Sequence, residues 1–411
     1  MPWFQIFQDG PEYEARKQRG TFTPPNLSLK ELRQAVPRHL YEKSTLKSLG
    51  YLFRHVFIAC SFYRLVTLID GCLVAHARCG LFSFTGLLRP VLWILYWGWQ
   101  GMVFSGFWCL GHEAGHNALS DYVLVNNVIG LLVHTFVLTP YFSWRVTHNT
   151  HHKSTNHLER DETYIPPTRK DFKLPDGKVA MRMDYAEILE ETPAFTLFKL
   201  FIRQFFGFQL YLLHNRKGNP RYPPWTSHYL PSSQLFRHKD RYRVLLSNIS
   251  ILSMLCLLYI LGRHFGRSLL VVHYLMPWLF AHNWIVLFTY LQHSDPTIPY
   301  YRKNEWTFAR GALATVDRPL FGWAGRVLLH NISSDHVAHH FFPTIPFYNL
   351  PEVTEAIKPI LGDYYNYDST PALYALWRSF MQCTFVEAEG DILFFRNQYG
   401  EALIEPHLND S

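Results

Sequence analysis

Eight of the 22 histidines stand in three short groups, which makes them the residues of this sequence best suited to metal chemistry. Two groups share the pattern HxxHH, at 148–152 and 336–340, and the third, at 112–116, has two histidines four residues apart. Positions i, i+3 and i+4 lie on one face of an α-helix, so each pentad is predicted to aim three imidazoles in one direction. The eight are His112, His116, His148, His151, His152, His336, His339 and His340.

Chance does not account for the repeated pattern. At this histidine content, composition alone produces HxxHH about 0.06 times in a chain of this length. Hydrogen bonding in a protein core explains a lone histidine such as His134 or His273, whereas grouped imidazoles compete for the same partners. The sequence therefore predicts that the three groups share a metal site.

The elements that position these groups are predicted to be membrane helices, because 48% of the 411 residues are hydrophobic and 17% are aromatic. Four long apolar stretches are predicted to be transmembrane helices: 51–74, 90–110, 244–262 and 268–291. The first is interrupted by Arg54, Arg64 and Asp70, which are costly at the centre of a bilayer. The predicted fold is an all-α integral membrane protein with about four transmembrane helices, interfacial helices and a cytosolic cap that carries the histidines.

A shared metal site constrains the topology, because its ligands must lie on one side of the membrane. An even number of crossings must then separate the groups, and the four predicted spans satisfy this condition. Two further apolar segments, 122–141 and 195–213, are therefore predicted to be interfacial or re-entrant rather than single crossings. Basic residues near the span ends favour a cytosolic position for the histidines.

Domain organisation follows from the same pattern. We expect a cytosolic N-terminal segment at 1–48, a membrane domain at 49–387 and a polar C-terminal tail at 388–411.

The six cysteines show no CxxC spacing, which argues against a disulfide framework and a thiolate metal site. The net charge of +7 is spread along the chain, so we expect anionic lipid headgroups or an acidic protein as partner, and no nucleic acid.

The first histidine group leaves an alternative chemistry open, because it also fits the pattern HExxH. In that pattern two histidines hold zinc and the glutamate, here Glu113, acts as a general base, as in an intramembrane zinc hydrolase. Such a site needs only three protein ligands and leaves most of the other histidines unexplained. Eight clustered imidazoles better suit two metal ions, and nitrogen-rich sites with open positions suit iron that activates O₂.

Four further motifs, taken with the histidine groups, make the sequence resemble the membrane fatty acid desaturases. They are LERDE at 158–162, YLQH at 290–293, ALATVDR at 312–318 and PTIPFY at 343–348. The likeness runs from about residue 31 to about residue 387. Within the family the chain is most similar to the oleate Δ12, or omega-6, branch of plants and fungi.

The resemblance implies a non-haem centre of two iron ions that removes two hydrogens from a fatty acyl chain, using O₂ and two electrons from cytochrome b5. The eight grouped histidines would be ligands, and His293 stands where related desaturases carry a further one. No HPGG haem-binding segment occurs, so cytochrome b5 and its reductase are expected to be separate proteins. The expected location is the endoplasmic reticulum membrane.

Residues beside the ligands are expected to adjust them. Three carboxylates are candidates to orient the second ring nitrogens of the ligands: Glu159, Asp161 and Asp335. Glu113 is expected to do the same or to be structural. Three other neighbours are candidates to tune the outcome of the reaction: Gly111, Thr155 and Ile345.

The sequence also departs from the usual first box of the family, because Ala114 and Asn117 replace its customary Cys and last His. The expected reaction is Δ12 desaturation of an oleoyl lipid, with hydroxylation or formation of a triple bond, in a specialised lipid or polyacetylene pathway, as alternatives. The carrier of the acyl chain, phospholipid or coenzyme A, and a homo-oligomeric state are left open.

Overall fold

The computed structural model describes residues 6–78 and 82–407 as a helical membrane protein. Within these residues the α-helices are α1 Pro11–Lys17, α2 Leu29–Ala35, α3 Thr45–Arg78, α4 Phe82–Gly115, α5 Val123–Phe136, α6 Tyr141–His152, α7 Arg182–Leu189, α8 Pro193–His214, α9 Arg241–Phe265, α10 Arg267–Leu270, α11 Met276–His293, α12 Phe308–Leu313, α13 Gly322–Leu328, α14 His336–Phe341, α15 Leu350–Leu361 and α16 Ala372–Gln382. A π-helical turn, Val271–Leu275, joins α10 to α11. The first five residues of the predicted N-terminal segment and the last four of the predicted tail lie outside the described residues.

The membrane part consists of long helices, which confirms the predicted fold class. Three stretches are long and apolar enough to cross a membrane by length and composition: Thr45–His76, His238–Phe265 and Arg267–His293. They contain the first, third and fourth predicted spans. The second predicted span lies in α4, a continuous helix of 34 residues that packs between α3 and α11. Helix α4 is not among the three stretches that meet the length and apolarity criterion, and most of its second half is buried in protein.

The apolar segment after α4 does not form a straight helix. Helices α5 and α6 meet at a bend of 108°, the geometry of a broken span or a re-entrant loop. Side chains of the neighbouring helix stabilise the bend, because Tyr274 donates to the Phe136 carbonyl at 2.5 Å and Trp278 donates to the Val137 carbonyl at 3.0 Å. The bend lets α6 run back beside the end of α4. The predicted interfacial segment at 195–213 lies in α8, which packs against α11.

Two pairs of short strands hold the C-terminal segment in place, one against the N-terminal segment and the other against the segment after α11. The strand pairs are β1 Thr21–Phe22 with β4 Glu405–Pro406, in parallel, and β2 Tyr300–Tyr301 with β3 Ile392–Leu393, antiparallel. Sequence periodicity did not reveal these strands, because each has only two residues.

A buried ion cluster ties the N-terminal helix to the segment after α11. Its members are Arg16, Asp295, Arg318, Asp368 and Arg378, and each is at most 7% exposed. Arg318 lies 2.8 Å from Asp295, and Arg378 lies 2.6 Å from Asp368. Burial opposes ionisation of Asp368, but Arg318 and Arg378 outweigh it and hold the pKa of this carboxyl below its ordinary value.

Candidate metal centre

Four helices bring the predicted ligands to one place. Helices α4 and α11 lie side by side. His112 lies in the last turn of α4 and His116 directly follows that helix, while His293 is the last residue of α11. Helices α6 and α14 carry the two pentads and complete the site. The rings of His112 and His148 lie 4.6 Å apart, as do those of His112 and His339, so the three sequence groups form one cluster.

The ring nitrogens divide into two sets, each compact enough to hold one metal ion. In both sets the candidate ligand atoms lie within 4.8 Å of one another. The first set is His112, His116, His148, His152 and His339; the second is His151, His293 and His340. His336 adjoins the second set, because its Nε2 lies 2.9 Å from that of His293 and 3.0 Å from that of His340.

Each pentad serves both sets, which differs from the expectation that its three imidazoles share one direction. Successive residues of an α-helix are about 100° apart around the axis, so the adjacent histidines of a pentad diverge. On α6, His152 joins the first set and His151 the second. On α14, His339 joins the first set and His340 the second. Each of the two pentads thus supplies candidate ligands to both sets.

The donor chemistry of the cluster fits metal ions. Several ring nitrogens are buried without a hydrogen-bond partner in the described structure, among them Nε2 of His116 and both nitrogens of His339. Burial and then His151 lower the pKa of His339 to about 3, and burial likewise lowers the pKa of His336 and His340 well below the ordinary value. Neutral imidazoles with free lone pairs are the form that ligates metals such as iron or zinc.

Two carboxylates and one hydroxyl contact the ligand rings from outside the sets. His151 donates from Nδ1 to Asp161 at 2.8 Å, and His112 donates from Nδ1 to Glu113 at 3.0 Å. The Thr155 hydroxyl lies 3.1 Å from Nδ1 of His340. Such contacts fix the ring orientation and leave the second nitrogen free for a metal. Glu113 thus contacts a ligand ring, an arrangement unlike that of a general base.

Two of the three carboxylates expected to orient ligands contact other residues. Glu159 is 46% exposed and pairs with His157 at 2.9 Å and Arg302 at 2.6 Å, because Arg302 draws its side chain toward the surface. Asp335 precedes α14 and is buried, but it pairs with Arg326 and Thr354, at 2.6 and 2.9 Å. Neither carboxylate contacts the ring of a candidate ligand, so of these three only Asp161 lies as expected.

A cavity of about 580 Å³ extends from the cluster toward α7 and α8. Five of the candidate ligands line its inner end: His112, His148, His151, His293 and His336. Apolar side chains such as Trp108, Phe208 and Phe288 line the passage, and Phe195 and Phe198 lie nearer the protein surface. The volume lies in the range of pockets that bind small molecules, and the lining suits an apolar one.

None of the three residues expected to tune the reaction lines this cavity. Gly111 abuts the His134 ring, since a Cβ at this position would lie 2.0 Å from His134 Cδ2. Thr155 contacts the outer nitrogen of His340, and Ile345 is fully buried. These residues can act on the reaction only through the positions of the ligands.

Sequence reasoning missed two buried polar residues beside the site, Asp317 and Arg318. Asp317 accepts a hydrogen bond from the Val337 amide, and Arg318 donates to the Leu291 carbonyl. Both belong to the motif ALATVDR. The available signal was two adjacent charged residues directly after the uncharged stretch 312–316.

Comparison with known proteins places these features in a family context. Residues 89–371 match the sequence profile described as Fatty acid desaturase. A Delta(12) fatty acid desaturase of Mortierella isabellina is 37% identical over 378 residues, which cover 90% of this chain and 91% of that protein. An "Omega-6 fatty acid desaturase, endoplasmic reticulum" of Brassica juncea is 38% identical over 367 residues, with 89% of each chain covered. An oleate hydroxylase of Claviceps purpurea is 35% identical over 404 residues, covering 92% of this chain and 82% of that one.

Proposed function

Because the chain belongs to the fatty acid desaturases, a family of oxidoreductases, we propose that it desaturates a fatty acyl chain held in a membrane lipid. The substrate is an oleoyl lipid and the product carries a new double bond at Δ12. The names of the Mortierella and Brassica relatives support this choice of position.

One observation carries the proposal: an apolar cavity ends at two adjoining sets of ring nitrogens. The cavity is bordered by α8 and α11, and α11 belongs to the membrane part. We infer that an acyl chain enters this cavity from the bilayer and reaches the histidines without crossing water. Its hydrocarbon surface would replace water against Trp108, Phe208 and Phe288, which favours binding.

The nine histidines are proposed to hold two iron ions: His112, His116, His148, His152 and His339 for one, and His151, His293, His336 and His340 for the other. Bound iron would supply the O₂ activation and the oxidation of C–H bonds. Asp161 and Glu113 hold the rings of His151 and His112 by accepting their Nδ1 protons. The aromatic lining keeps bulk water from the inner end of the cavity.

The electron count requires a separate donor. Reduction of O₂ to two molecules of water takes four electrons, of which the acyl chain supplies two. Cytochrome b5, reduced by its reductase, is proposed to supply the other two. The proposed location is the endoplasmic reticulum membrane, with the histidines on the cytosolic side, where the reduced donor is available.

Hydroxylation of the same carbon is a second candidate. The observation that favours it is the oleate hydroxylase from Claviceps purpurea, which aligns with 92% of this chain. The two outcomes separate after the first hydrogen is removed. A difference of about 1.4 kcal/mol between the competing barriers changes the product ratio tenfold. Small shifts of ligands are therefore enough to change the outcome.

The test is expression in a yeast strain that makes oleate, lacks linoleate and supplies its own cytochrome b5. Gas chromatography of total fatty acids should show linoleate, and a His339→Ala variant present in the membrane at the same level should show none. A 12-hydroxy acid would favour the hydroxylase, and a triple bond formed from added linoleate would favour the acetylenase. No new fatty acid from iron-loaded protein would contradict the proposed substrate.

A further inference from the structure

Arg318 binds the chain on both sides of His293. Its Nε donates to the Leu291 carbonyl at 3.0 Å, and one terminal nitrogen donates to the Asp295 carboxylate at 2.8 Å. Helix α11 ends at His293, because the next residue, Ser294, leaves helical geometry with φ −127° and ψ 89°. One buried guanidinium therefore fixes the end of the helix that carries His293.

Asp317, the preceding residue, binds the start of the helix that carries His336. Its carboxylate accepts from the Val337 amide at 2.8 Å and from the Tyr365 hydroxyl at 2.7 Å. The residue that precedes α14, Asp335, makes no side-chain cap, so Asp317 supplies an acceptor for a free amide of the first turn.

The backbone of this short segment also touches both elements. The Val316 amide donates to the Gln292 carbonyl at 3.0 Å, and the Arg318 amide donates to the Ser333 carbonyl at 2.7 Å. The segment 316–318 thus lies between the end of α11 and the approach to α14, and it holds the two at a fixed separation.

His293 and His336 depend on this support more than the other members of their set. His151 has Asp161 on its outer nitrogen and His340 has Thr155. The outer nitrogens of His293 and His336, both Nδ1, are buried and have no hydrogen-bond partner within the described residues. The inner nitrogens of the two rings lie only 2.9 Å apart. Because no side chain of the described residues hydrogen-bonds either Nδ1, the positions of the two backbone segments largely determine whether both inner nitrogens reach one metal.

We propose that Asp317 and Arg318 are positioning residues for the second set of ligands, Arg318 for His293 and Asp317 for His336. The inference rests on the proposed function only in taking these histidines as iron ligands. Neither residue contacts the substrate cavity, so both act through the ligands.

The matched control is Arg378, another arginine of the buried ion cluster. Arg378 is 7% exposed and lies 2.6 Å from Asp368, the same carboxylate that Arg318 contacts. It lies 3.6 Å from Asp295, and its hydrogen bonds go to Asp9, Thr370 and Asp368. A change at Arg378 therefore disturbs the ion cluster but leaves the hydrogen bond from Arg318 to the Leu291 carbonyl in place.

The experiment compares Arg318→Lys, Asp317→Ala, Asp317→Asn and Arg378→Lys as purified full-length proteins loaded with ⁵⁷Fe(II). Bound iron is counted per chain, and Mössbauer spectra report the two iron environments. Arg318→Lys and Asp317→Ala should retain one environment and weaken iron binding in the other about 10- to 100-fold, as for other residues that orient ligands. Asp317→Asn, which keeps an acceptor for the Val337 amide, should restore the second iron. The Arg378→Lys variant should bind two iron ions per chain.

Two results would overturn the inference. One is wild-type iron binding in Arg318→Lys and Asp317→Ala, and the other is an equal loss in Arg378→Lys, which would mean that the ion cluster only maintains the fold. Thermal unfolding of the metal-free proteins separates loss of a site from loss of folding. Wild-type protein that binds two irons but forms no product would contradict the proposed reaction and leave the positioning role intact.

Discussion

His151 and His152 are adjacent in the chain, yet their ring nitrogens belong to different sets of candidate ligands. Their ring planes stand at 81° to each other, with centroids 5.6 Å apart. The same division occurs between His339 and His340 on α14. The repeated HxxHH pattern is therefore suited to bridging two neighbouring metal ions, because one helix can supply ligands to both.

Asp161 is predicted to be important for metal binding, and Glu159, two residues earlier, is its control. Asp161 accepts the Nδ1 proton of His151, so Asp161→Asn should lower metal affinity or activity about 10- to 100-fold. Glu159→Gln should change either quantity less than about twofold, because the half-exposed Glu159 carboxylate pairs with His157 and Arg302 and not with a candidate ligand. Iron titration and product formation would be measured on both. Equal effects would argue against a special role of Asp161.

Gly111→Ala is predicted to destabilise the protein through a clash with His134. The added Cβ would lie 2.0 Å from the His134 ring, and overpacking of this kind typically costs about 1–3 kcal/mol. Combining it with His134→Ala should recover part of that loss, so the double variant should unfold at a higher temperature than the sum of the single changes predicts. Strict additivity in thermal unfolding in detergent would rule out the contact as the cause.

Asp368 is predicted to make the stability of the fold sensitive to acid. Its pKa is held below the ordinary value in the folded protein, so its contribution is complete above the unfolded value of about 3.9 and is lost as the pH falls further. Asp368→Asn should lower the unfolding temperature at pH 6, because breaking a buried ion pair costs about 3–5 kcal/mol. The difference from wild type should shrink below about pH 4. If the difference in unfolding temperature between wild type and Asp368→Asn does not change with pH, the ionised Asp368 carboxylate does not stabilise the fold.

The orientation of the protein can be tested with tags. If the histidines face the cytosol, protease added to sealed microsomes, whose cytosolic face is outward, should remove tags at both termini and in the loop near Asp176. The helix pair bent by 108° allows this arrangement, because the chain need not cross the bilayer between the first two histidine groups. A lumenal loop near Asp176 would contradict it.

The sequence predicted those features that depend on local spacing. Spacing along single helices located the eight grouped histidines, and apolar length located α3, α9 and α11. The need to keep the ligands on one side also predicted that 122–141 is not a straight single crossing, and the bend of 108° between α5 and α6 agrees with this prediction. The family resemblance is confirmed by the match of residues 89–371 and by the relatives from fungi and plants.

Features that depend on distant parts of the chain were not predictable in this way. The division of each pentad between two sets requires knowing what lies on both sides of a helix. Asp161 and Glu159 look alike in sequence, and only the position of Arg302, more than a hundred residues away, separates their roles. Asp317 and Arg318 act across contacts with Val337 and Leu291 that no local pattern reports.

The most direct test of the account is the metal content of the purified protein. Elemental analysis of wild-type protein should find about two irons per chain and little zinc, since eight ring nitrogens form two sets and His336 adjoins the second. His151→Ala and His152→Ala should each lower the iron content toward one, because each removes a ligand from a different set. One zinc per chain, lost with His112 or His116 and retained in both of these variants, would contradict the two-metal centre and favour the HExxH hydrolase.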